Sequence, residues 1–308
     1  MEYDPIKYNL ATLLGRSALL RRLFFIALDV LFLRSWYIRR ELRCLKSTIN
    51  NRQSTILDAG MGFGQYSDRM LRMFKGVKLV GLEIDRKHLY GSEKYFRKVH
   101  PEARLTLGDV QMQPFGNQKF DLALTVDVME HIEDDVAAFA EYYRVLKPGG
   151  YLLMHTPRIV GDESVGQTLL SDSSPINKDC RTGVSNLPEN KDCRTGVSNL
   201  LDDTKWSVDE HFRDGYRDSE AIERIEATGL KVKKIIRGYG RTGHIAWVLL
   251  QRIPLSLLAK GKLWILPVAV YLLLILPLAL LFMWLDFLRG DTLKGGSLLV
   301  LAQRPVDK

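Results

Sequence analysis

Asp58 stands at the end of a short apolar run and is followed by Gly60, Gly62 and Gly64 in the segment ILDAGMGFGQYS, residues 56–67. Glycines at this spacing let a chain turn sharply out of a strand, and they let a ligand lie directly against backbone N–H groups where a helix begins. Asp58 adds a fixed acceptor beside the turn. The chemistry implied is capture of a nucleotide-like ligand. About twenty residues on, a second apolar run, 77–85, brings Glu83 and Asp85 to the place where a doubly wound sheet meets a ribose. Glu83 is the better placed, since its carboxylate can accept from both ribose hydroxyls, whereas Asp85 is positioned to start the next helix. Two more apolar runs also end in acids. Residues 103–107 lead into Gly108, Asp109 and Val110, where an acid can accept from the exocyclic amine of a base, and residues 120–126 lead into Asp127, Glu130 and His131.

These side chains need a frame. After residues 120–126 a helical stretch runs to a stop at Pro148, Gly149 and Gly150, and a fifth apolar strand ends at His155. Strands alternating with helices predict a parallel α/β sheet with ligands at the carboxyl ends of the strands.

The ordered set D-x-G-x-G-x-G (58–64), the strand-end acid Glu83, G-D (108–109), F-D (120–121), D-V-x-E-H-I (127–132) and L-K-P-G-G (146–150) resembles the class I S-adenosylmethionine-dependent methyltransferases, in the broad group of small-molecule and quinone methyltransferases. The resemblance covers residues 54–157 together with 218–237 and 295–304. It implies an α/β fold built on a seven-stranded Rossmann-like sheet. It implies that Asp58, Gly60, Gly62 and Gly64 hold the methionine part of S-adenosyl-L-methionine, Glu83 the ribose, and Asp109 with Val110 the adenine. Asp127 is then expected along the methionine side, at the mouth of the acceptor pocket, and the product is S-adenosyl-L-homocysteine. A nicotinamide enzyme would use G-x-G-x-x-G, a spacing this loop lacks. The one Tyr-x-x-x-Lys string, Tyr90 to Lys94, falls in the helix after the second strand and not beside an acceptor.

Methyl transfer from a sulfonium requires the acceptor's lone pair in line with the methyl group, so positioning supplies much of the rate. A base is needed only where a proton must leave, and His131, His155 and His211 are the candidates. The alternative for His131 is to brace its loop. Residues 209–217, DEHFRDGYR, resemble an H-x-R-x-G-Y string of related membrane-associated methyltransferases. That likeness places His211, Arg213 and Tyr216 over the cofactor or the acceptor, with Arg213 pairing with an anionic group. The alternative is a solvated turn. Cys44, Cys180 and Cys193 show no paired Cys/His spacing, so no metal is expected.

The chain has 308 residues, more than one such sheet requires, and a formal charge of +8 from 44 Lys+Arg against 36 Asp+Glu. A basic chain meets nucleic acid or an anionic membrane surface, and here the distribution favours membrane. Residues 263–285 form an uncharged run of bilayer-spanning length, with Lys260 and Lys262 before it, Asp286 and Arg289 after it, and Trp264 and Trp284 near its ends. Because it lies between two strands expected in one sheet, 230–237 and 295–304, the chain must leave and return on the same side of the bilayer. Two forms satisfy this. One is a re-entrant or in-plane element broken at Pro267 and Pro277; the other is a helical hairpin with 244–258 as its second arm. A monotopic insertion is expected.

Residues 16–42, rich in Leu and Phe and interrupted by Arg, read as an interfacial amphipathic helix with its basic side chains toward lipid phosphates, the alternative being an ordinary helix over the sheet. Asp29 in the apolar stretch argues against a secretory signal. The predicted organisation is therefore interfacial helices at 1–50, a core at 51–243 with a long loop 158–208, a membrane-associated insertion at 244–290, and a final strand and tail at 291–308. Within the loop NKDCRTGVSNL occurs twice, at 177–187 and 190–200, as a tandem duplication in a surface insertion.

The function expected is methyl transfer to a hydrophobic or membrane-resident small molecule on the cytoplasmic face, most simply at the oxygen of a phenol, quinol or lipid-linked acceptor. A membrane protein or nucleic acid is the alternative acceptor. No nucleic-acid partner is expected, since V-D-V-M (126–129) stands where amino-group nucleic-acid methyltransferases carry N-P-P-Y. A non-catalytic membrane-bound scaffold would have no need to keep the glycine loop and the strand-end acids together.

Overall fold

The computed structural model describes residues 17–49, 54–160 and 212–306. The tandem repeat, its two cysteines and His211 lie outside them. Among the described residues seven strands form one sheet in the order β3-β2-β1-β4-β5-β7-β6. They are β1 (Thr55–Ala59), β2 (Lys78–Glu83), β3 (Arg104–Leu107), β4 (Phe120–Val126), β5 (Leu146–Pro157), β6 (Lys231–Gly238) and β7 (Ser297–Gln303). Strands β1 to β5 pair in parallel, while β7 runs antiparallel to both β5 and β6. The Rossmann-like methyltransferase sheet expected from the motifs is the sheet observed.

Alternation along the strands explains why both faces are covered. Ile56, Leu122, Leu124, Leu153 and Leu299 join one apolar cluster, and their neighbours Leu57, Ala123, Leu152, Met154 and Leu298 join the other. Helices α1 (Ala18–Leu31), α2 (Leu33–Cys44), α3 (Gln65–Met73) and α4 (Arg86–Val99) supply the first cluster through Phe25, Tyr37, Ile38, Met70 and Phe96. Helices α5 (Asp135–Val145) and α6 (Asp218–Ala227) supply the second through Phe139, Tyr142 and Ile225. Each such side chain taken fully out of water stabilises the fold by about 1.5–3 kcal/mol. Asp85 caps α4 by accepting from the N–H groups of Lys87 and His88, as its place in the sequence predicts.

The amino-terminal segment departs from the interfacial helix expected. It forms two helices, and most of its arginines turn inward. Arg21 is buried against Tyr95 and donates to the Gly91 carbonyl at 2.6 Å. Arg39 donates to the Asp29 carbonyl, and Arg40 lies over the rings of Tyr37 and Phe287. These guanidiniums find partners inside the protein and do not reach out to phosphates. An exposed apolar stripe nonetheless remains on α1, from Leu19, Leu23, Ile26 and Val30.

Between β6 and β7 the chain makes a helical hairpin. One arm is α7 (Arg241–Trp247), a π-helical segment (Val248–Arg252) and α8 (Ile253–Leu258); the other is α9 (Ile265–Arg289). Of the two forms the sequence allowed, this is the hairpin with 244–258 as its second arm, and the alternative break at Pro267 and Pro277 is absent. Pro267 falls in the first turn, where backbone N–H groups lack partners in any case, and Pro277 lies inside a helix that continues past it. Gly238 and Pro157 both pair with Ser297, so the hairpin leaves and re-enters the sheet at the carboxyl ends of the parallel strands. This is the edge on which such sheets bind ligands.

One buried carboxylate fastens the hairpin. Asp286, with no exposed surface, accepts from Tyr37 Oη at 2.9 Å, from the Gly243 N–H at 2.9 Å and from Thr242 Oγ1 at 3.2 Å. It thereby caps α7, whose own N-cap is Gly240, and ties both arms to α2. A Cβ on Gly243 would meet Asp286 at 2.8 Å, so the arms touch only because that residue is glycine. Asp286→Ala leaves buried donors without acceptors, and a loss of about 3 kcal/mol is expected. Thermal unfolding followed by tryptophan fluorescence checks this: a Tm several degrees below wild type is expected, and an unchanged Tm would contradict the role assigned.

Candidate active site

The turn from β1 into α3 holds Gly60, Gly62 and Gly64 at φ of +76°, +51° and +84°, a region that strains other residues. The three serve different ends. A Cβ on Gly60 would lie 2.3 Å from Val128 and one on Gly64 would lie 2.4 Å from Phe96, whereas one on Gly62 would meet nothing within 4 Å. Gly62 therefore faces open space, and the outer two glycines allow close packing. Their N–H groups are not bare, as the sequence suggested: Gly60 donates to the Leu82 carbonyl, Gly64 to that of Met61, and Gly62 to Glu83 Oε2 at 2.7 Å. The tight turn consumes its own donors.

Glu83 is buried at the end of β2, and its Oε1 also accepts from the Asp85 N–H at 2.9 Å. Each oxygen thus holds one backbone donor and keeps a lone pair for hydroxyls. Asp58 lies deeper, fully buried, and accepts from Ser67 Oγ in α3 at 2.5 Å. Burial pushes its carboxyl up to about 7 against the pull of the Ser67 hydroxyl, with the Glu83 charge adding to the rise. Asp58 is thus the brace that fixes the loop onto α3. Asp109 accepts from the Gln111 N–H at 2.8 Å, and Val110 is buried beside it with its carbonyl taken by Gln113.

Across the loop, Asp127 joins three elements. It follows β4 with φ of +52° and its N–H donates to the His155 carbonyl at 2.9 Å; short acidic side chains tolerate that backbone better than most. Its Oδ1 lies 2.7 Å from His155 Nδ1, and its Oδ2 lies 2.9 Å from Arg34 Nη1. Burial opposes the charge, but Arg34, His155 and, to a lesser degree, His131 hold the carboxyl well below the usual carboxylate range. Ionised Asp127 accepts the Nδ1 proton of His155 and so fixes the tautomer, leaving the Nε2 lone pair as the basic site. Nε2 is buried and has no hydrogen-bond partner among the described residues.

Arg34 was not foreseen as part of the site. It comes from the first turn of α2, and its N–H donates to Tyr239 Oη just past β6. The surrounding contacts bolt the amino-terminal helices onto α3. Asp29 accepts from Gln65 Nε2 at 2.9 Å and pairs with Arg69, while Ser35 Oγ lies 3.2 Å from both Gln65 Nε2 and Tyr66 Oη. The lone acid in an apolar stretch was the available signal, since a buried charge needs a partner elsewhere in the chain.

Two expected residues lie elsewhere. Tyr216 is fully buried and donates to Asp135 Oδ2 at 2.7 Å, and Arg213 pairs with the same carboxylate while donating to the carbonyls of Ile132 and Glu133. Both brace the turn after β4 and neither is open to an acceptor. His131 is half-buried in a short 3-10 turn (Met129–His131), where its N–H donates to the Val128 carbonyl. His211 lies outside the described residues.

Glu130, in that same turn, is buried and accepts from Thr156 Oγ1 at 3.2 Å. Burial, reinforced by the Asp127 charge, pushes its carboxyl from 4.5 up to about 8. Between those values the folded protein binds a proton that the unfolded chain has released, so stability falls as pH rises from about 4.5 through about 8. Glu130→Gln removes this contribution. The Tm of wild type relative to that variant is expected to fall between pH 6 and pH 9, and parallel Tm–pH profiles would contradict it.

Comparison with known proteins agrees with this geometry. The family described as a methyltransferase domain matches residues 57–154, the span that carries the glycine loop, the strand-end acids and the Asp127–His131 turn. An uncharacterised methyltransferase of Schizosaccharomyces pombe is 32% identical over 104 residues, covering 32% of this chain and 37% of that protein. A demethylmenaquinone methyltransferase of Chlorobaculum parvum is 27% identical over 124 residues, 40% of this chain and 49% of its own. The chain thus spans less than half the length of these curated relatives. A crystal structure proposed to be of a sarcosine dimethylglycine methyltransferase from Galdieria sulphuraria has the same fold, with a TM-score of 0.52 at 16% identity over 89% of this chain and 84% of that one. Residues 57–154 thus match a methyltransferase domain, and the seven-stranded sheet has the fold of that solved protein.

Proposed function

We propose that this protein transfers a methyl group from S-adenosylmethionine to a hydrophobic, membrane-resident small molecule, at a hydroxyl of a phenol, quinol or lipid-linked acceptor. The observation that carries the reading is the Asp127–His155 pair, with a free Nε2, on the same sheet edge as an apolar helical hairpin.

The residues present fit the cofactor. Gly62 faces space that a side chain would fill, Glu83 keeps lone pairs for ribose hydroxyls, and Asp109 with Val110 closes the far end of the crevice. When bound, S-adenosylmethionine supplies a sulfonium methyl group that passes to the acceptor's lone pair as its carbon–sulfur bond breaks. The protein's own part is positioning and proton removal. His155 takes the hydroxyl proton at Nε2, and Asp127 stabilises the imidazolium that results; Arg34 keeps Asp127 ionised and in place. The amino-terminal helices, pinned by Asp29, flank this side.

The hairpin supports the membrane part. Among the described residues, α9 alone is long and apolar enough to cross a bilayer, with mean hydropathy 2.8 and 11% of its apolar window buried. A core helix of this composition would be covered. Leu266, Leu273 and Leu274 are each more than 70% exposed, an apolar surface suited to lipid. Because the hairpin starts and ends at the ligand edge, we place the protein on one face of the membrane as a monotopic enzyme, on the cytoplasmic side where the cofactor is made. The demethylmenaquinone relative is consistent with a lipophilic acceptor.

Two variants test the assignment. Gly62→Arg fills the cofactor space, and loss of measurable S-adenosylhomocysteine binding by calorimetry is expected with the fold retained; undiminished affinity would remove the pocket from this loop. His155→Ala is expected to lower transfer of labelled methyl into native membranes by about 10²–10⁴-fold while homocysteine-product affinity stays within about threefold. Transfer at the wild-type rate would exclude His155 as the base.

A further inference from the structure

The charge that the hairpin shows to its surroundings has one sign. Between Arg241 and Arg289 the sequence has five Lys or Arg residues and a single acid, Asp286. That acid is fully buried against Tyr37 and the start of α7. Arg241, Arg252 and Lys260 are exposed, and none of the three pairs with a carboxylate among the described residues. Arg21, Arg34 and Arg39 of the amino-terminal helices, by comparison, all have partners inside the protein.

The polar side chains also share one arm and one row. His244, Arg252 and Ser256 are exposed along the short arm, and Lys260 follows four residues later at the tip, over the ring of Trp264. Positions four apart lie on one helix face. On a regular helix such a row creeps round the axis, because four residues exceed the turn of about 3.6. The π-helical segment Val248–Arg252 has a wider turn and brings the row back into line. The other arm holds that turn in place, since Tyr271 Oη donates to the Leu249 carbonyl at 3.1 Å. Along α9 itself, from Ile265 to Leu285, no residue is charged.

The position of Arg252 decides how such a hairpin meets a bilayer. It stands eleven residues past Arg241, roughly 16 Å along a helix, which is about mid-depth of a ~30 Å hydrocarbon core if the arms cross it. An unpaired charge is costly there. With the arms lying in the interface, the row on the short arm meets headgroups while the leucines of α9 meet acyl chains.

We infer that the short arm lies at the phosphate level of an anionic leaflet, with Arg241, Arg252 and Lys260 against lipid phosphates and α9 in the acyl region beneath. The inference rests on the membrane attachment proposed above. It adds the lipid class and the side of the hairpin that reads it: a surface carrying several unpaired cations and no exposed acid complements negative headgroups.

Full-length wild type, Arg252→Leu, Arg252→Lys and Lys260→Leu are mixed with vesicles of phosphatidylcholine alone or with phosphatidylglycerol added, and bound protein is measured by flotation. S-adenosylhomocysteine affinity within about twofold of wild type reports that a variant is folded, and Lys260→Leu gives a second reading should Arg252→Leu fail that report. Wild type is expected to bind the phosphatidylglycerol vesicles about tenfold or more above the neutral ones, a preference that shrinks as salt rises. Arg252→Leu and Lys260→Leu are each expected to lose about fivefold on the anionic vesicles alone, and Arg252→Lys to bind as wild type does. Equal binding of wild type to both vesicles, or folded leucine variants that bind as well as wild type or better, would overturn the placement of the arm at the phosphates and leave attachment standing. Absence of binding to either vesicle would overturn attachment, and this inference with it. Arg252-dependent capture of duplex DNA without a preference for phosphatidylglycerol would overturn the lipid assignment in favour of nucleic acid.

Discussion

The carboxylate of Asp127 holds the carboxyl edge of the sheet together. It has two oxygens, and each is given to a different part of the chain: one to His155 at the end of β5 and one to Arg34 from the amino-terminal helices. The Arg34–Asp127 pair is charged at both ends and only partly exposed, so removing Arg34 would leave the Asp127 charge without its counterion. The amino-terminal helices are thereby part of the site. Arg34 is the α2 side chain that reaches Asp127.

A second buried carboxylate does for the hairpin what Asp127 does for the site. Asp286 sits in the last turns of an otherwise apolar helix and supplies the acceptor that α7 lacks at its own start. Tyr37 of α2 donates to the same group. The helix that presents Arg34 therefore also carries the hairpin anchor, and the distance between the apolar hairpin and His155 is set by one rigid element. Mobile attachment through a flexible tether would leave that distance free.

The sheet, the glycine loop and Glu83 were legible in the sequence because backbone geometry dictates their residue types locally. A turn with three positive φ values and two close packings admits little besides glycine, and the strand-end acid lies at a register set by the parallel sheet. The apolar run of α9 was equally plain. Arg34 was not, because its partner Asp127 is 93 positions away and an arginine between leucine-rich helices reads the same whether it faces lipid or protein. Arg213 and Tyr216 misled for the converse reason. Their motif marks a place in the fold, and only the structure shows that Asp135 consumes both side chains. The loop glycines were read as leaving their N–H groups to a ligand, whereas Leu82, Met61 and Glu83 take them. The hairpin's second arm was legible at 244–258 as one of two forms, and Arg252 and Pro254, which spoil its apolar pattern, are accommodated by the π segment and the start of α8.

The most direct measurement is the fate of the methyl group itself. Native membranes bearing the protein or its Gly62→Arg variant are given methyl-labelled S-adenosylmethionine, extracted with organic solvent, and the labelled species counted in each phase. Label in the organic phase that disappears in the variant is the expected result, since the dyad and the apolar hairpin share one edge of the sheet. Label that stays in the aqueous or protein fraction, or organic label indifferent to Gly62, would contradict a membrane-resident acceptor at this site.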